Sequence, residues 1–248
     1  MELFDSLFRK RSGGERPPGS VVPSPAAELT PSRWKELLDQ AWSEPLAQRL
    51  DMTYLGGWYW AAPWKDHRRK VLRVWLQRSC TCGTFQWGWN FDFIPHISGN
   101  RLAYRRTNKA VGQELFRVPE SYIRQSGRQR ERVMAGQYFN ELGEGALVER
   151  DRSLLTGILP ALEEYYQRTE APEMLLTEAE ELEKHSWYPF VCGTQLGITR
   201  AFILAAMGRK EEGRLVLCAI PWQGQDGERI RELLLARLER QEAIWTGP

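Results

Sequence analysis

Between Phe85 and Phe93, aromatic residues alternate with small or polar residues at every position. The odd positions are Phe85, Trp87, Trp89, Phe91 and Phe93, and the even ones are Gln86, Gly88, Asn90 and Asp92. Since successive side chains of a β-strand point to opposite faces, this pattern predicts a strand with all five rings on one face. Each ring buries roughly 150–250 Å², so we expect the ring face to lie in the core. The even-numbered face, with Gln86, Asn90 and Asp92, is then predicted to be exposed.

Apolar stretches on both sides of this strand predict further strands of the same sheet. Each is short and is bounded by glycine, proline or charged residues, which is typical of strands joined by turns. Because such strands pair with their neighbours along the chain, we expect an antiparallel meander of about four or five strands within residues 53–118. The predicted segments are strands or extended chain over Tyr54–Trp64, Val71–Gln77, Arg101–Arg106 and Glu114–Val118, and turns over Lys65–Lys70, Ser79–Gly83 and Ser98–Asn100.

Hydrophobic residues recur at helical spacing once before the sheet and repeatedly from residue 126 onward. The predicted helices are Thr30–Leu50, Gln129–Leu142, Arg152–Arg168, Thr177–His185, Thr194–Met207, Lys210–Ile220 and a long amphipathic helix from Asp226 to about Ile244. Thr30 and Asp226 are predicted N-caps, and Gly208 is a predicted left-handed C-cap. Pro45 and Pro160 predict a kink or an end within their helices.

These elements predict an α+β fold in which an antiparallel sheet is flanked by helices. An all-helical half follows and ends in a helical hairpin and the long amphipathic helix. A linker rich in Gly, Pro and Ser separates this domain from Met1–Arg11, which has the pattern of a short amphipathic helix. We therefore expect a flexible segment over residues 1–30 and a single domain over 31–248, sheet-bearing to 125 and helical from 126. The N-terminal segment is suited to dock on the domain, on a partner or on a membrane surface.

Composition places the chain among ordinary soluble globular proteins. Its 248 residues are 42% hydrophobic and 27% charged, and the longest apolar run, Ala201–Met207, is far shorter than the roughly 20 residues that span a bilayer. Charges interrupt the apolar residues near the N-terminus, so no signal peptide is predicted. The 4 cysteines are scattered and do not predict a disulfide framework in a chain of this length. We therefore expect a cytoplasmic protein.

The net charge of +2 hides an uneven distribution. Residues 64–132 hold 15 Lys and Arg against 5 Asp and Glu, whereas residues 133–248 hold 12 against 19. One interpretation is that the basic and acidic halves complement each other within the fold. The other is that the basic region faces an acidic partner or nucleic acid, which the summed field of clustered charges would attract.

Basic residues interleaved with aromatic ones make the basic region a candidate binding surface. Sheets that bind nucleic acid use rings to stack on bases and arginines to contact phosphates, although a ring face buried by helices would exclude stacking. Asp92 precedes His96 by four residues, so one interpretation is an orienting contact between them, and the other is an ordinary surface histidine at a strand end. The candidate binding residues are Arg101, Tyr104, Arg105, Arg106, Lys109, Asn90, Asp92 and His96.

Other residue types that carry chemistry do not form a recognisable motif. Cys80 and Cys82 are one residue apart, not the two residues typical of zinc knuckles, and a four-thiolate site would need Cys192 and Cys218 to fold onto them. Gly193–Gly197 lacks the serine of a nucleophile elbow, and no glycine-rich loop that cradles phosphate is present in the sequence. We predict no catalytic residues, no metal and no cofactor.

Four segments resemble an uncharacterised family of bacterial domains of unknown function. They are Arg73–Ser79 with the aromatic strand after it, Ile158–Leu162 with the acidic helix after it, Gly193, and Ala201–Gly213. The resemblance covers about residues 35–220. It implies an N-terminal antiparallel sheet followed by a helical tail, and some members of that family are thought to be immunity-like or otherwise non-catalytic proteins.

The sequence therefore leads to one preferred function and two alternatives. The preferred function is a non-catalytic cytoplasmic protein that binds another protein, and the resemblance implies the immunity-like kind as one form of it. The first alternative is a nucleic-acid-associated protein that uses residues 64–132. The second is an enzyme whose site is not recognisable, although the chain is expected not to be an enzyme. Salt-sensitive binding favours nucleic acid, and a polar pocket with perturbed titrating groups favours an enzyme.

Overall fold

A computed structural model describes residues 31–76, 82–98, 101–104, 107, 109, 111, 114–118, 134–135, 144–184 and 196–245. The described strands are β1 Thr53–Gly56, β2 Tyr59–Ala61, β3 Arg68–Leu76, β4 Cys82–Phe91, β5 His96–Ser98, β6 Arg101–Ala103, β7 Leu115–Arg117 and β8 Met134–Ala135. The described helices are α1 Pro31–Leu50, α2 Glu144–Arg168, α3 Pro172–Glu183, α4 Leu196–Ala206, α5 Lys210–Ala219 and α6 Gly224–Glu239. The α+β class is confirmed, with most of the helices in the C-terminal half.

The main sheet is antiparallel and has the order β1-β2-β3-β4-β7, with β8 also pairing with β4. Strands β5 and β6 form a separate two-stranded sheet. The predicted antiparallel sheet of about four or five strands is therefore confirmed, but the strand predicted over Arg101–Arg106 was wrongly placed in it, because β6 pairs with β5. After β4 the chain leaves the main sheet and forms the separate pair of β5 and β6. It then returns to the main sheet as β7, which pairs with β4. Periodicity identifies a strand but not its sheet, because local hairpin pairing satisfies the backbone equally well.

The chain divides into two compact units that are interleaved in sequence. The described residues within Met1–Ala62, Val71–Trp87 and Arg117–Glu164 form the first unit. Those within Pro63–Lys70, Gly88–Phe116 and Tyr165–Pro248 form the second unit. Each unit is thus built from three separate segments of the chain.

In the first unit, helix α1 packs its tryptophans inward. Trp42 is buried and its indole Nε1 donates to the main-chain oxygen of Asp151, 2.9 Å away. Trp60 of β2 donates in the same way to the hydroxyl of Ser43, at 2.9 Å. Pro45 lies inside α1, so the helix continues through the predicted break to Leu50. Pro160 is likewise inside α2, which runs without interruption from Glu144 to Arg168.

In the second unit, helices α4 and α5 approach closely because a glycine faces the neighbouring backbone. A Cβ atom on Gly213 would lie 2.5 Å from the main-chain oxygen of Ala201. The predicted C-cap is confirmed: Gly208 has φ +80° and its N–H donates to Ala205 O at 3.0 Å. Helix α6 begins at Gly224 with Gln223 as its N-cap, so the predicted cap at Asp226 was wrong and Asp226 lies in the first turn.

The aromatic strand is buried on both of its faces. The rings of Phe85, Trp87, Trp89, Phe91 and Phe93 are buried as predicted, although β4 itself ends at Phe91. The prediction that the even-numbered face is exposed was wrong, since Gln86 and Asn90 are both 0% exposed. Asp92 is only partly exposed. Buried arginines of β3 supply hydrogen-bond partners on that face, and this allows its amide side chains to leave water.

Two further predictions need correction. Strand β3 begins at Arg68, so the predicted turn over Lys65–Lys70 is shorter and its last three residues are strand. Met134–Ala135 pairs with Cys82–Gly83 as a strand, although Gln129–Leu142 was predicted to be a helix. The remainder of that segment, most of Ser79–Gly83 and Thr30 lie outside the described residues. Among the helices that the structure describes, none combines the length and apolar character needed to cross a membrane.

Candidate binding surfaces

Asn90 belongs to a buried polar network in the second unit. Its side-chain oxygen accepts a hydrogen bond from Arg69 Nε at 3.1 Å, and its Nδ2 donates to a carboxylate oxygen of Glu114 at 2.7 Å. Thr199 donates to the main-chain oxygen of Glu114 at 3.0 Å, and Arg69 lies 4.3 Å from the ring centroid of Trp64. Burial lowers the pKa of Arg69 to about 10, and Glu114 opposes that shift. Asn90 is therefore an internal bridge between a cation and an anion, not a surface ligand.

A similar pairing occurs in the first unit. Arg73 donates from Nε to the side-chain oxygen of Gln86 and from Nη1 to the Tyr59 hydroxyl, 2.6 Å away. The guanidinium also lies 5.5 Å from the Tyr59 ring centroid. Both Arg69 and Arg73 are buried, so two of the basic residues counted in the basic region do not contribute to its surface. This burial reduces the positive field that an external partner would meet.

The turn between β2 and β3 presents polar side chains, and main-chain hydrogen bonds hold it in place. Lys65 and Arg68 exchange main-chain hydrogen bonds of 2.9 and 3.0 Å around Asp66 and His67. Asp66 and His67 have φ of 48° and 63°, a left-handed conformation that non-glycine residues adopt only at a cost. The N–H of Asp92 donates to His67 O at 3.2 Å, which ties the turn to the end of β4.

Asp92 contacts His67 and not the predicted His96. The imidazole Nδ1 of His67 lies 3.1 Å from one carboxylate oxygen of Asp92 and 3.2 Å from the other. The sequence suggested His96 because it is close along the chain, whereas β3 and β4 bring His67 to Asp92 across 25 residues. The side chain of His67 is 52% exposed, so its Nε2 is the nitrogen left for other partners.

Arg68 is held beside the same turn by two tryptophans. Its guanidinium carbon lies 5.5 Å from the ring centroid of Trp89 and 5.3 Å from that of Trp245. The indole of Trp245 donates to Asp66 O at 3.0 Å and packs its ring against Phe93, with centroids 5.2 Å apart. We call Lys65, Asp66, His67, Arg68 and Trp245 the turn surface. The sequence does not predict this surface, because Trp245 is 179 residues from Asp66 and no periodic pattern links the two residues.

Three of the other candidate residues, His96, Arg101 and Tyr104, lie on the β5–β6 hairpin, which we call the ribbon (residues 96–104). His96 pairs with Ala103, and Ser98 pairs with Arg101. Arg101 and Lys109 are exposed, Tyr104 is half-buried, and Arg237 of α6 lies 5.1 Å from the Tyr104 ring centroid. Ile97 is a large hydrophobic residue with 39% of its surface exposed. Arg105 and Arg106 lie outside the described residues.

The structure therefore separates the six described residues of the predicted site into three places within the second unit. Asn90 is in the buried network, Asp92 is beside the turn surface, and the described remainder is on or after the ribbon. The described residues contain no group of three or more His, Cys, Asp or Glu that could hold a metal ion. Cys218 is free and exposed, while Cys80 and Cys192, which a four-thiolate site would need, lie outside the described residues.

Comparison with known proteins leaves the function to be argued from these surfaces. No family model, no curated protein and no solved structure matches the chain. The resemblance to a bacterial domain family accordingly remains a prediction.

Proposed function

We propose that the chain is a non-catalytic cytoplasmic protein that acts by binding another protein, in the manner of an immunity-like protein. The proposed contact surface is the ribbon, and the proposed partner presents an acidic surface to it. The observation that carries this proposal is the exposed side chain of Ile97, which lies on a ribbon that also carries the exposed Arg101. An apolar centre with a polar rim is the usual composition of a protein–protein contact.

Charge supports an acidic partner. Residues 96–118 contain five Lys and Arg and one acidic residue, Glu114. Glu114 is 1% exposed and is engaged by Asn90, so it does not offset the charge of Arg101 and Lys109 at the surface. Complementary charge speeds encounter and selects partners more than it tightens binding, whereas burial of Ile97 would supply affinity.

The alternative of nucleic acid binding has less support. Arg101 and Lys109 are exposed and could contact phosphates. The rings of Phe85, Trp87 and Trp89, however, are buried and are not available for stacking on bases. The pair formed by His67 and Asp92 is the described feature nearest to acid–base catalysis, but the hydrogen bonds that the structure describes for His67 go to Asp92 alone.

The test is capture of partners by the tagged chain from extracts of the organism that encodes it, at low and high salt, with protein and nucleic acid identified together. One variant is Ile97→Ser, and another combines Arg101→Glu with Lys109→Glu. The matched control combines Arg229→Glu with Arg240→Glu, which makes the same charge change at an exposed position of α6 and at its exposed C-cap. We expect one dominant protein that is retained at high salt, lost with both ribbon variants and kept by the control.

Two outcomes would contradict the proposal. Nucleic acid that is held at low salt and released at high salt would favour the alternative, because phosphate contacts release counterions. A dominant protein captured equally well by wild type and both ribbon variants would place protein binding on another surface.

A further inference from the structure

Arg68 is an arginine whose side-chain hydrogen-bond donors are not used by any residue that the structure describes. Its contacts there are with the ring faces of Trp89 and Trp245. A cation–π contact engages the positive charge and leaves the N–H groups of a guanidinium, which has five of them, without acceptors. The Nη1 atom is buried and has no hydrogen-bond partner within the described chain. A buried donor without an acceptor costs about 1–3 kcal/mol, so an acceptor that is absent from the chain itself is expected.

The charge of Arg68 is also incompletely balanced by its surroundings. Burial lowers the pKa of Arg68, and the opposing attraction of Asp66 and Glu170 does not restore it. Arginine guanidinium groups carry their charge at neutral pH in proteins. An additional anion would therefore be stabilised here even though two carboxylates are near.

The neighbourhood of Arg68 is fixed in place before any ligand arrives. Asp92 holds His67 through Nδ1, and Trp245 holds the main-chain oxygen of Asp66. The left-handed conformation of Asp66 and His67 keeps the turn tight, and it positions exposed Lys65 and His67 on either side of Asp66. Groups that are ordered in the free protein lose little conformational entropy on binding, which favours recognition of a small group.

We propose that the turn surface is a receptor for an oxyanion, which binds in the plane of the Arg68 guanidinium with the ammonium group of Lys65 as a further contact. Carboxylates and phosphates share the geometry that pairs with two parallel N–H groups of arginine. Arg68 is half-buried, and Lys65, Asp66 and His67 beside it in the turn are exposed, so an oxyanion approaches the turn surface from solvent. This site is independent of the ribbon and does not rest on the proposed function.

The test follows the side-chain Nε–H signal of Arg68 and the indole Nε1–H signal of Trp245 in ¹H–¹⁵N spectra of the full chain. Each signal is assigned by its loss in Arg68→Lys or Trp245→Phe. The probes are N-acetyl-triglutamate amide, N-acetyl-triglutamine amide and inorganic phosphate. Arg229→Lys is the matched control. It makes the same side-chain change at an exposed position of α6 that is distant in sequence from Arg68.

We expect saturable shifts of both signals with the triglutamate probe and none with the triglutamine probe. Saturation with phosphate as well would assign a general oxyanion receptor, whereas saturation with triglutamate alone would assign a carboxylate receptor. Arg68→Lys keeps a charge but loses the planar pair of donors, so binding followed at Trp245 should weaken about tenfold. Arg229→Lys should bind like wild type.

Three results would overturn the proposal. They are the absence of a saturable shift with triglutamate and with phosphate, equal shifts with triglutamate and triglutamine, and unchanged affinity in Arg68→Lys. Circular dichroism of each variant separates a failure to fold from a loss of binding, and the wild-type titrations decide the proposal even where Arg68→Lys does not fold.

Discussion

The two compact units bury an arginine on the same face of β3 in two different ways. In the second unit, Arg69 shares Asn90 with the buried carboxylate of Glu114. In the first unit, Arg73 donates to the neutral groups of Gln86 and Tyr59. A charge that is removed from water needs either an opposite charge or several well-placed dipoles. We expect the charged arrangement to be the more sensitive of the two to loss of one member, because an unpaired buried ion costs more than an unpaired dipole.

The largest expected effect comes from Gly88, which lies between Gln86 and Asn90 on β4. A Cβ atom there would lie 1.8 Å from Leu115 O of β7, so Gly88→Ala must separate two paired strands. We expect a loss of about 3 kcal/mol or more in the free energy of unfolding, measured with denaturant. The control is Gly145→Ala in α2, where an added Cβ meets nothing within 4 Å and stability should not fall. Equal stability of both variants would contradict the close contact of β4 with β7.

The next effect tests the charged arrangement directly. Glu114→Gln keeps an acceptor for Asn90 but leaves the buried Arg69 without its carboxylate. We expect it to lower the free energy of unfolding by about 3 kcal/mol, the low end for breaking a buried ion pair. If Glu114→Gln lowered the free energy of unfolding by less than removal of the Gln86 acceptor in Gln86→Met, the charged arrangement would not be the more sensitive of the two.

The neutral arrangement should lose less. Gln86→Met preserves volume and removes the side-chain acceptor of Arg73, which still donates to the Tyr59 hydroxyl. The expected loss is about 1–2 kcal/mol, the cost of one hydrogen bond to a charged group. Denaturant unfolding in the same buffer as for Glu114→Gln makes the two numbers comparable.

A buried carboxylate of the first unit provides a test by pH. Burial raises the pKa of Asp151 above its usual range, and Arg150 only partly opposes this. An acid with a raised folded pKa binds its proton more tightly in the folded state, so it stabilises the fold at low pH and loses this contribution as pH rises through that pKa. Asp151→Asn should therefore gain stability relative to wild type at pH 7, and the gain should shrink towards pH 4. A difference that is constant with pH would mean that Asp151 does not titrate in this way.

The smallest effect is expected where an ion pair of the first unit is exposed. Arg33 donates to Glu144 from Nε at 2.8 Å and from Nη2 at 2.6 Å, and both side chains are nearly half exposed. Water and salt screen such pairs, so Glu144→Gln should leave stability unchanged within error. A loss as large as that of Gln86→Met would show that burial is not what separates these pairings.

The sequence predicted the elements whose periodicity is strong. The rings of β4 and the apolar stripe of α2 repeat over enough residues to identify a strand and a helix with a buried side. It failed for the polar face of β4, because alternation reports chemical type and not exposure. A usable signal was present: Arg69 and Arg73 are four residues apart, as are Gln86 and Asn90, so antiparallel strands can place each arginine against an amide.

The candidate surfaces were less predictable than the fold. Arg101 and Lys109 were found because they are basic residues near a turn, and the structure describes both as exposed. His67, Arg68 and Trp245 were missed as a group because their association depends on tertiary packing between residues 65–68 and the chain beyond α6. A single sequence contains no local pattern for contacts of this kind.

The hydrogen bond from Trp245 to Asp66 also has a consequence for biosynthesis. The turn is translated early, but the indole that binds it is added to the nascent chain 179 residues later. Until then, Arg68 lacks one of its two aromatic neighbours, and the turn before β3 lacks the indole that covers it. Synthesis of Trp245, and not translation of the strands themselves, is therefore the event that completes this corner of the protein, and nascent chains arrested before Trp245 should be cut by protease at the turn more readily than chains that contain it.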